Sequence, residues 1–294
     1  FSPHWTWLPL SPSDTATMHK KNVKGFATDI GGRTSHTAIM AKSLEIPAVV
    51  GLEILTKKVE SGDQIIIDGT HGIVVVNPAP RTMKKYEQDR EKFASFAKHL
   101  LELKDLPCVT LDKKKIGLAA NIEVPEDVPS VMAHGAEGIG LYRTEYFYMN
   151  RKDLPTEEEQ FRAYSSVAKS MKPSPVTIRT MDLGGDKFLS QLDVPQQMNP
   201  FLGWRAIRFC LARPDIFNAQ LRAILRASAH GKLRIMYPMI SGIEELRQAN
   251  AFLEDSKKEL RREGLVFDEN IEVGGMIEVP SAALTSDILA KEAD

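Results

Sequence analysis

The chain has 294 residues, enough for two domains that each bury a core. Its 38 basic and 39 acidic residues leave a net charge of -1, which gives no electrostatic reason to bind nucleic acid or an anionic membrane. No apolar run reaches the roughly 18 residues of a membrane span, no signal-peptide pattern is present, and Cys108 and Cys210 lie far apart without metal-like spacing; the expectation is a soluble, cytoplasmic enzyme with two ordinary buried thiols.

The opening FSPHWTWLP starts on phenylalanine and carries Trp5 and Trp7, which reads as a processed, truncated or frame-shifted end. From Ser11 to Pro78 short strands and helices alternate. SPSDTATMHKKNV is a capped helix, GFATDI a strand, AVVG a strand, and DQIIIDG and GIVVVNP are paired strands turned by Asp68, Gly69 and Gly72. Between the first two strands lies GGRTSHTAIMAKSLEIPAVVG. Gly31 and Gly32 permit a tight turn, and Thr34 and Ser35 are preferred caps for the helix that follows. The unpaired N–H groups and positive dipole end at that helix start suit an anion such as a phosphoryl group, and Arg33 adds positive charge. Ala38, Ile39, Ala41 and Leu44 recur at helical spacing until Pro47 ends the helix. His36 therefore sits at the helix mouth. An imidazole with a pKa of about 6.5 is mostly neutral at pH 7 and has a lone pair for nucleophilic attack. A core or capping histidine is the bland alternative.

Residues 81–106 form a charged helical stretch in which Tyr86, Phe93, Phe96, Leu100 and Leu103 are spaced as one apolar stripe. The stretch reads as a linker helix. After Pro107 the pattern becomes strand, loop, helix: IGLAAN, EGIGLY, VTIRT, LRIMYPM and IEVGGMIEV each precede a polar or glycine-bearing turn. A (β/α)8 TIM-type barrel is preferred over an open sheet. Residues 108–294 fall short of the roughly 250 that a complete barrel takes, so about five of its eight units are expected. The domain reading is 1–79 for the α/β unit that carries His36, 80–107 for the helical linker and 108–294 for the partial barrel.

In such a barrel, functional groups sit at the carboxyl ends of strands, where Asn121, Arg143, Arg179 and Glu278 fall. Arg143 follows GIGLY, Arg179 closes VTIR, and Arg205 stands beside Trp204 at a helix start in NPFLGWRAIR. Each arginine alone reads as a structural ion pair. Three converging guanidinium groups suit a small polyanionic substrate, and positioning with charge neutralisation does most of the work in phosphoryl transfer. Glu278 is a candidate oxygen ligand for Mg2+, with a salt bridge to one of the arginines as its alternative.

The His36 segment resembles the phosphohistidine signature of the phosphoenolpyruvate-utilising enzymes, in the wording of the enzyme I family of the bacterial sugar phosphotransferase system. The resemblance runs from SPSDTATM to the C-terminus and includes TMDLGGDK and GWRAIR. It implies that phosphoenolpyruvate phosphorylates His36 and that the group then passes to the carrier protein HPr, leaving pyruvate. It further implies that Arg143 and Arg179 bind phosphoenolpyruvate, Arg205 lines the same pocket, Glu278 holds Mg2+, Thr15 hydrogen-bonds the histidine, and the intact protein is a homodimer. The histidine domain would swivel between substrate and carrier.

Departures from the family pattern bear on activity. A later Asn-Asp pair with the second magnesium ligand, a further substrate arginine and a proton-donating cysteine would fall beyond Asp294. The helical domain that docks HPr would precede Phe1. Lys42 stands where arginine is more usual. The chain is therefore expected to turn over poorly by itself. Alternatives are a pyruvate phosphate dikinase or phosphoenolpyruvate synthase relative, disfavoured because no Gly-rich phosphate loop is seen, and a truncated, non-catalytic phosphohistidine or ligand-binding module.

Overall fold

The computed structural model describes residues 23–32, 38, 41, 45–148, 153–184 and 203–294. The chain divides into two units, Phe1–Leu103 and Lys104–Asp294. Thr15, His36 and the expected capped helix before Val23 lie outside the described residues.

In the first unit, β1 (Phe26–Thr28) and β2 (Ala48–Val50) pair in parallel, with Phe26 opposite Ala48 and Thr28 opposite Val50. Parallel neighbours require a crossover, and Ala38 and Ala41 within it are helical, Ala41 being buried. The loop leaving β1 is pinned by Asp29. Its carboxylate accepts the N–H groups of Leu55 and Thr56 and the Thr56 hydroxyl, and the hydroxyl bond is the largest influence holding this acid below the usual carboxylate range. Gly31 follows at φ 126°, a conformation that side chains with a Cβ avoid. The expected hairpin is present: β3 (Ile65–Asp68) runs antiparallel to β4 (Ile73–Val76). Asp68 closes it by accepting the N–H groups of Thr70 and His71, while its carbonyl accepts that of Gly72.

The helix α1 (Pro80–Glu102) begins with proline at its first turn, where the missing N–H costs nothing. Its apolar stripe is present but not buried. Phe93 is 67% exposed and Phe96 59%, and no residue of α1 is buried.

The second unit is built on five parallel strands in sequential order: β5 (Ala120–Ile122), β6 (Ile139–Tyr142), β7 (Val176–Arg179), β8 (Leu233–Tyr237) and β9 (Glu272–Gly275). The strand forecast in IGLAAN starts later than the run itself, since pairing begins at Ala120. Between the strands lie α2 (Val128–Ala133), α3 (Glu157–Met171), α4 (Ala206–Ala212), α5 (Pro214–Ser228) and α6 (Ile243–Arg262); α7 (Pro280–Leu284) and α8 (Ser286–Leu289) follow β9. Among the described residues the sheet is open, with β5 and β9 at its edges; five parallel strands are present, as the sequence led one to expect, and no closed barrel is found. Five strands are too few to satisfy the hydrogen-bonding edges of an eight-stranded closure.

The core lies where the helices meet the sheet. Ile139, Tyr142, Val176, Ile178, Ile235 and Tyr237 from the strands, with Tyr164, Phe217, Leu221 and Ile224 from α3 and α5, are almost wholly removed from water. A capping box starts α3: Thr156 Oγ1 accepts the Glu159 N–H and Glu159 accepts that of Thr156. On the helix surface Arg222 reaches Glu157, Glu259 and Glu263, while Arg226 reaches Glu157 and Glu158 and stacks on Phe161. These ions tie α5 to α3 and α6. Cys210 is buried, and burial pushes its thiol pKa up; Cys108, expected to be buried as well, is only half-buried because the segment around it carries no packed element.

A close approach of α3 to the loop before β8 leaves room only for glycine. A Cβ at Gly231 would lie 2.4 Å from the Ala168 carbonyl oxygen, a backbone atom that cannot swing away. Gly231→Ala is expected to lower stability in urea unfolding by about 1–3 kcal/mol. Gly242→Ala, where a Cβ meets nothing within 4 Å, should cost under about 1 kcal/mol.

Candidate functional site

Parallel pairing brings the carboxyl ends of all five strands to one edge. Glu123 comes directly after β5, Arg143 directly after β6, and Arg179 closes β7; Met239 lies just beyond β8 and Glu278 just beyond β9. Loops at this edge are where parallel α/β folds bind ligands. Arg205 is delivered by another route, as the residue that precedes α4.

The arginines are not loose. Arg143 Nη1 is 2.9 Å from Glu123 Oε1, a pair with substantial water access, the arginine being 41% exposed. Arg179 is 12% exposed and lies between two acids, with Nη2 2.9 Å from Glu145 Oε1 and Nη1 3.1 Å from Asp182 Oδ2. The other oxygen of Asp182 accepts Arg205 Nη2 at 2.7 Å and Nε at 3.2 Å. One carboxylate thus joins two guanidinium groups. Glu145 Oε1 also accepts the Asp182 backbone N–H at 3.2 Å, which fixes the turn that carries Asp182. Burial pushes the Glu145 carboxyl up, and the facing Arg179 only partly offsets that shift.

A buried polar cluster supports the strand ends. Thr144 Oγ1 donates to the Arg179 carbonyl (3.0 Å), Gln220 Nε2 donates to Thr144 Oγ1 (3.1 Å) and Tyr164 OH (3.2 Å), and Gln220 Oε1 accepts the Met181 N–H (2.9 Å).

Glu278 forms no salt bridge with Arg143, Arg179 or Arg205; its Oε1 accepts the Met239 N–H at 2.7 Å. Met239 sits at φ 57°, a left-handed conformation unusual for a side chain of its size. The carboxylate therefore holds a strained turn at the end of β8 while remaining exposed. Among the described residues, no three His, Cys, Asp or Glu side chains converge as a metal cage. A single exposed carboxylate still fits Mg2+, which commonly uses one or two protein carboxylates and completes its shell with water and substrate phosphate.

The structure therefore joins Arg179 and Arg205 directly through Asp182, and places Arg143 at the neighbouring strand end and Glu278 on the same edge. Asn121, expected at a strand end, is an exposed mid-strand residue. Sequence reasoning missed Glu123, Glu145, Asp182, Thr144 and Gln220. The acids carried a usable signal, each standing within three residues of a strand end or an arginine.

The chain belongs to the phosphoenolpyruvate-utilising enzymes: residues 97–294 match the PEP-binding domain of that family, and residues 9–72 match its mobile domain. It is 54% identical over 285 residues to the phosphoenolpyruvate-protein phosphotransferase of Staphylococcus carnosus (strain TM300), covering 97% of this chain and 50% of that protein. The proteins of the same name from Staphylococcus aureus (strain MSSA476) and Geobacillus stearothermophilus are each 53% identical over 97% of this chain. The chain spans about half the length of these curated relatives. A solution NMR structure of Enzyme I (nEIt) shares 61% sequence identity, covering 29% of this chain and 34% of that one, at a TM-score of 0.28.

Removing Asp182 leaves two poorly exposed guanidinium groups without their shared acid. Asp182→Ala is expected to lower stability by about 3–5 kcal/mol. The partly exposed Glu123–Arg143 pair should contribute about 1 kcal/mol or less, so Glu123→Gln is near neutral in the same urea titration. Glu145 has the opposite pH sign from most acids. Its folded pKa is raised, so its favourable contribution is full below about 4.5 and is lost as pH rises through the folded value. Glu145→Gln should remove that decline, measured as the difference between the two proteins' stability–pH curves.

Proposed function

We propose that this chain carries the transfer machinery of a phosphoenolpyruvate-protein phosphotransferase, the first step of sugar uptake by the phosphotransferase system. The observation that carries this reading is the arginine row: Arg179 and Arg205 on one carboxylate, with Arg143 at the adjoining strand end, in a chain that belongs to the phosphoenolpyruvate-utilising enzymes. A substrate with a phosphate and a carboxylate needs several guanidinium groups, and it would take over hydrogen-bonding positions now filled by Glu145, Asp182 and Glu123.

In the proposed reaction a neutral ring nitrogen of His36 attacks phosphorus. The bond from phosphorus to the enol oxygen breaks as the phosphorus–nitrogen bond forms, and the enolate leaves to become pyruvate on protonation at carbon. Arg143 and Arg179 hold the phosphate and carboxylate, Arg205 lines the pocket, and Thr15 orients the imidazole by a hydrogen bond. Glu278 would supply one oxygen to Mg2+, whose charge, when bound, offsets that of the transferring phosphoryl group. His36 then passes the group to HPr.

The proposed organisation is a swivelling phosphohistidine domain (1–79), a helical linker (80–107) and part of a (β/α)8 barrel (108–294). Sequential parallel strands advancing in one direction support the last, because right-handed crossovers then place every connecting helix on the same face, as in a barrel. A cytoplasmic homodimer is the proposed state of the intact protein. A second reading, a ligand-binding module without transfer, is favoured by the fact that all three arginines already have carboxylate partners.

Incubation with labelled phosphoenolpyruvate and Mg2+ should place acid-labile, base-stable phosphate on the wild type and none on His36→Ala. Arg179→Lys, which loses the planar fork, should slow labelling by roughly 100-fold. No label on His36 from either phosphoenolpyruvate or phosphorylated HPr would favour the second reading.

A further inference from the structure

We propose that Gln220 is a positioning residue for the arginine edge, acting through Thr144 to fix the ends of β6 and β7 in one register. The inference rests on the phosphoenolpyruvate reading of that edge.

Gln220 lies on α5, outside the row of charged groups, and is 1% exposed; Thr144 and Tyr164 are wholly buried. Its orientation is determined by chemistry. The Met181 N–H can only donate, so Gln220 must present Oε1 to it, and both amide hydrogens are left for the hydroxyls of Thr144 and Tyr164. Each hydroxyl then passes its own hydrogen onward. Thr144 donates to the carbonyl of Arg179, and Tyr164 donates to Gln160 Oε1 at 3.1 Å. Every step has one direction, and the four bonds use the oxygen and both hydrogens of the Gln220 amide and the Thr144 hydroxyl as both acceptor and donor.

The consequence is geometric. Thr144 directly follows Arg143, while Met181 lies between Arg179 and Asp182. The buried amide therefore holds the Met181 N–H and, through Thr144, the Arg179 carbonyl, and it fixes the residue beside Arg143. The β6–β7 register shifts between Ile139 and Tyr142 and resumes with Tyr142 opposite Ile178, the last pair before this edge. Beyond that pair, the amide and hydroxyl link the two strand ends directly. An error of about 1 Å in such a constellation can cost two orders of magnitude in function.

The test titrates phosphoenolpyruvate with Mg2+ into the whole chain by calorimetry and records the melting temperature of each variant. Thr144→Val replaces the hydroxyl with a methyl group of the same shape, and Gln220→Met keeps the length of the side chain without its polar atoms. Both are expected to raise Kd roughly tenfold. Thr144→Ser, which restores the hydroxyl, should return Kd to within about twofold. Ser256→Ala removes a buried hydroxyl on α6 that bonds Asn218 and Phe252, away from the edge, and serves as a destabilised control with unchanged Kd. Wild-type affinity in a folded Thr144→Val protein would overturn the proposal, as would Kd values that simply follow melting temperature through the Ser256→Ala control. If Gln220→Met does not fold, Thr144→Val against Thr144→Ser decides the matter. Absence of phosphoenolpyruvate binding by the wild type would instead overturn the functional reading, and the positioning role with it.

Discussion

Arg179 and Arg205 are brought together by one carboxylate, and the layout of the candidate site depends on that sharing. Asp182 places one oxygen on each guanidinium, so two like charges with little water access can occupy one edge. The same acid joins the end of β7 to the start of α4, although much of the chain between Leu183 and Arg205 separates them in sequence. Glu145 anchors the arrangement from the β6 side by accepting both the Arg179 side chain and the Asp182 backbone. The two guanidinium groups are thus aimed by acids while each keeps a little access to water.

Beneath the ionic rim lies a neutral, fully buried layer. Thr144, Gln220, Tyr164 and Gln160 pass hydrogen bonds from one to the next without any ionised group, so the support of the site carries no charge that an entering ligand would disturb. A third layer is on the helix exterior, where Arg222 and Arg226 bind acids of α3 and α6. Charge is used where water remains and amide or hydroxyl groups where it does not, which follows the desolvation cost of an ion.

The first unit uses the same economy of means at smaller scale. Asp29 fastens the loop after β1 to the 55–57 turn, and Gly31 follows at a positive φ.

Local patterns in the sequence determined the order of elements: the Asp68 hairpin, the long helix from Pro80, and five βα steps ending near Arg143, Arg179 and Glu278. Those features depend on residues a few positions apart, and apolar periodicity or turn chemistry records them directly. The family-defining stretch around His36 was also legible as a string of residues. Only the tertiary structure decided the pairings. That Asp182 serves both Arg179 and Arg205, that Glu278 turns to Met239 and away from the arginines, and that Gln220 reaches Met181 and Thr144 all depend on distances between segments far apart in the chain. The same holds for the apolar stripe of α1: its spacing was plain, but burial needs a facing surface, and Phe93 and Phe96 lie exposed. Periodicity specifies which side chains share a face; only packing decides what that face meets.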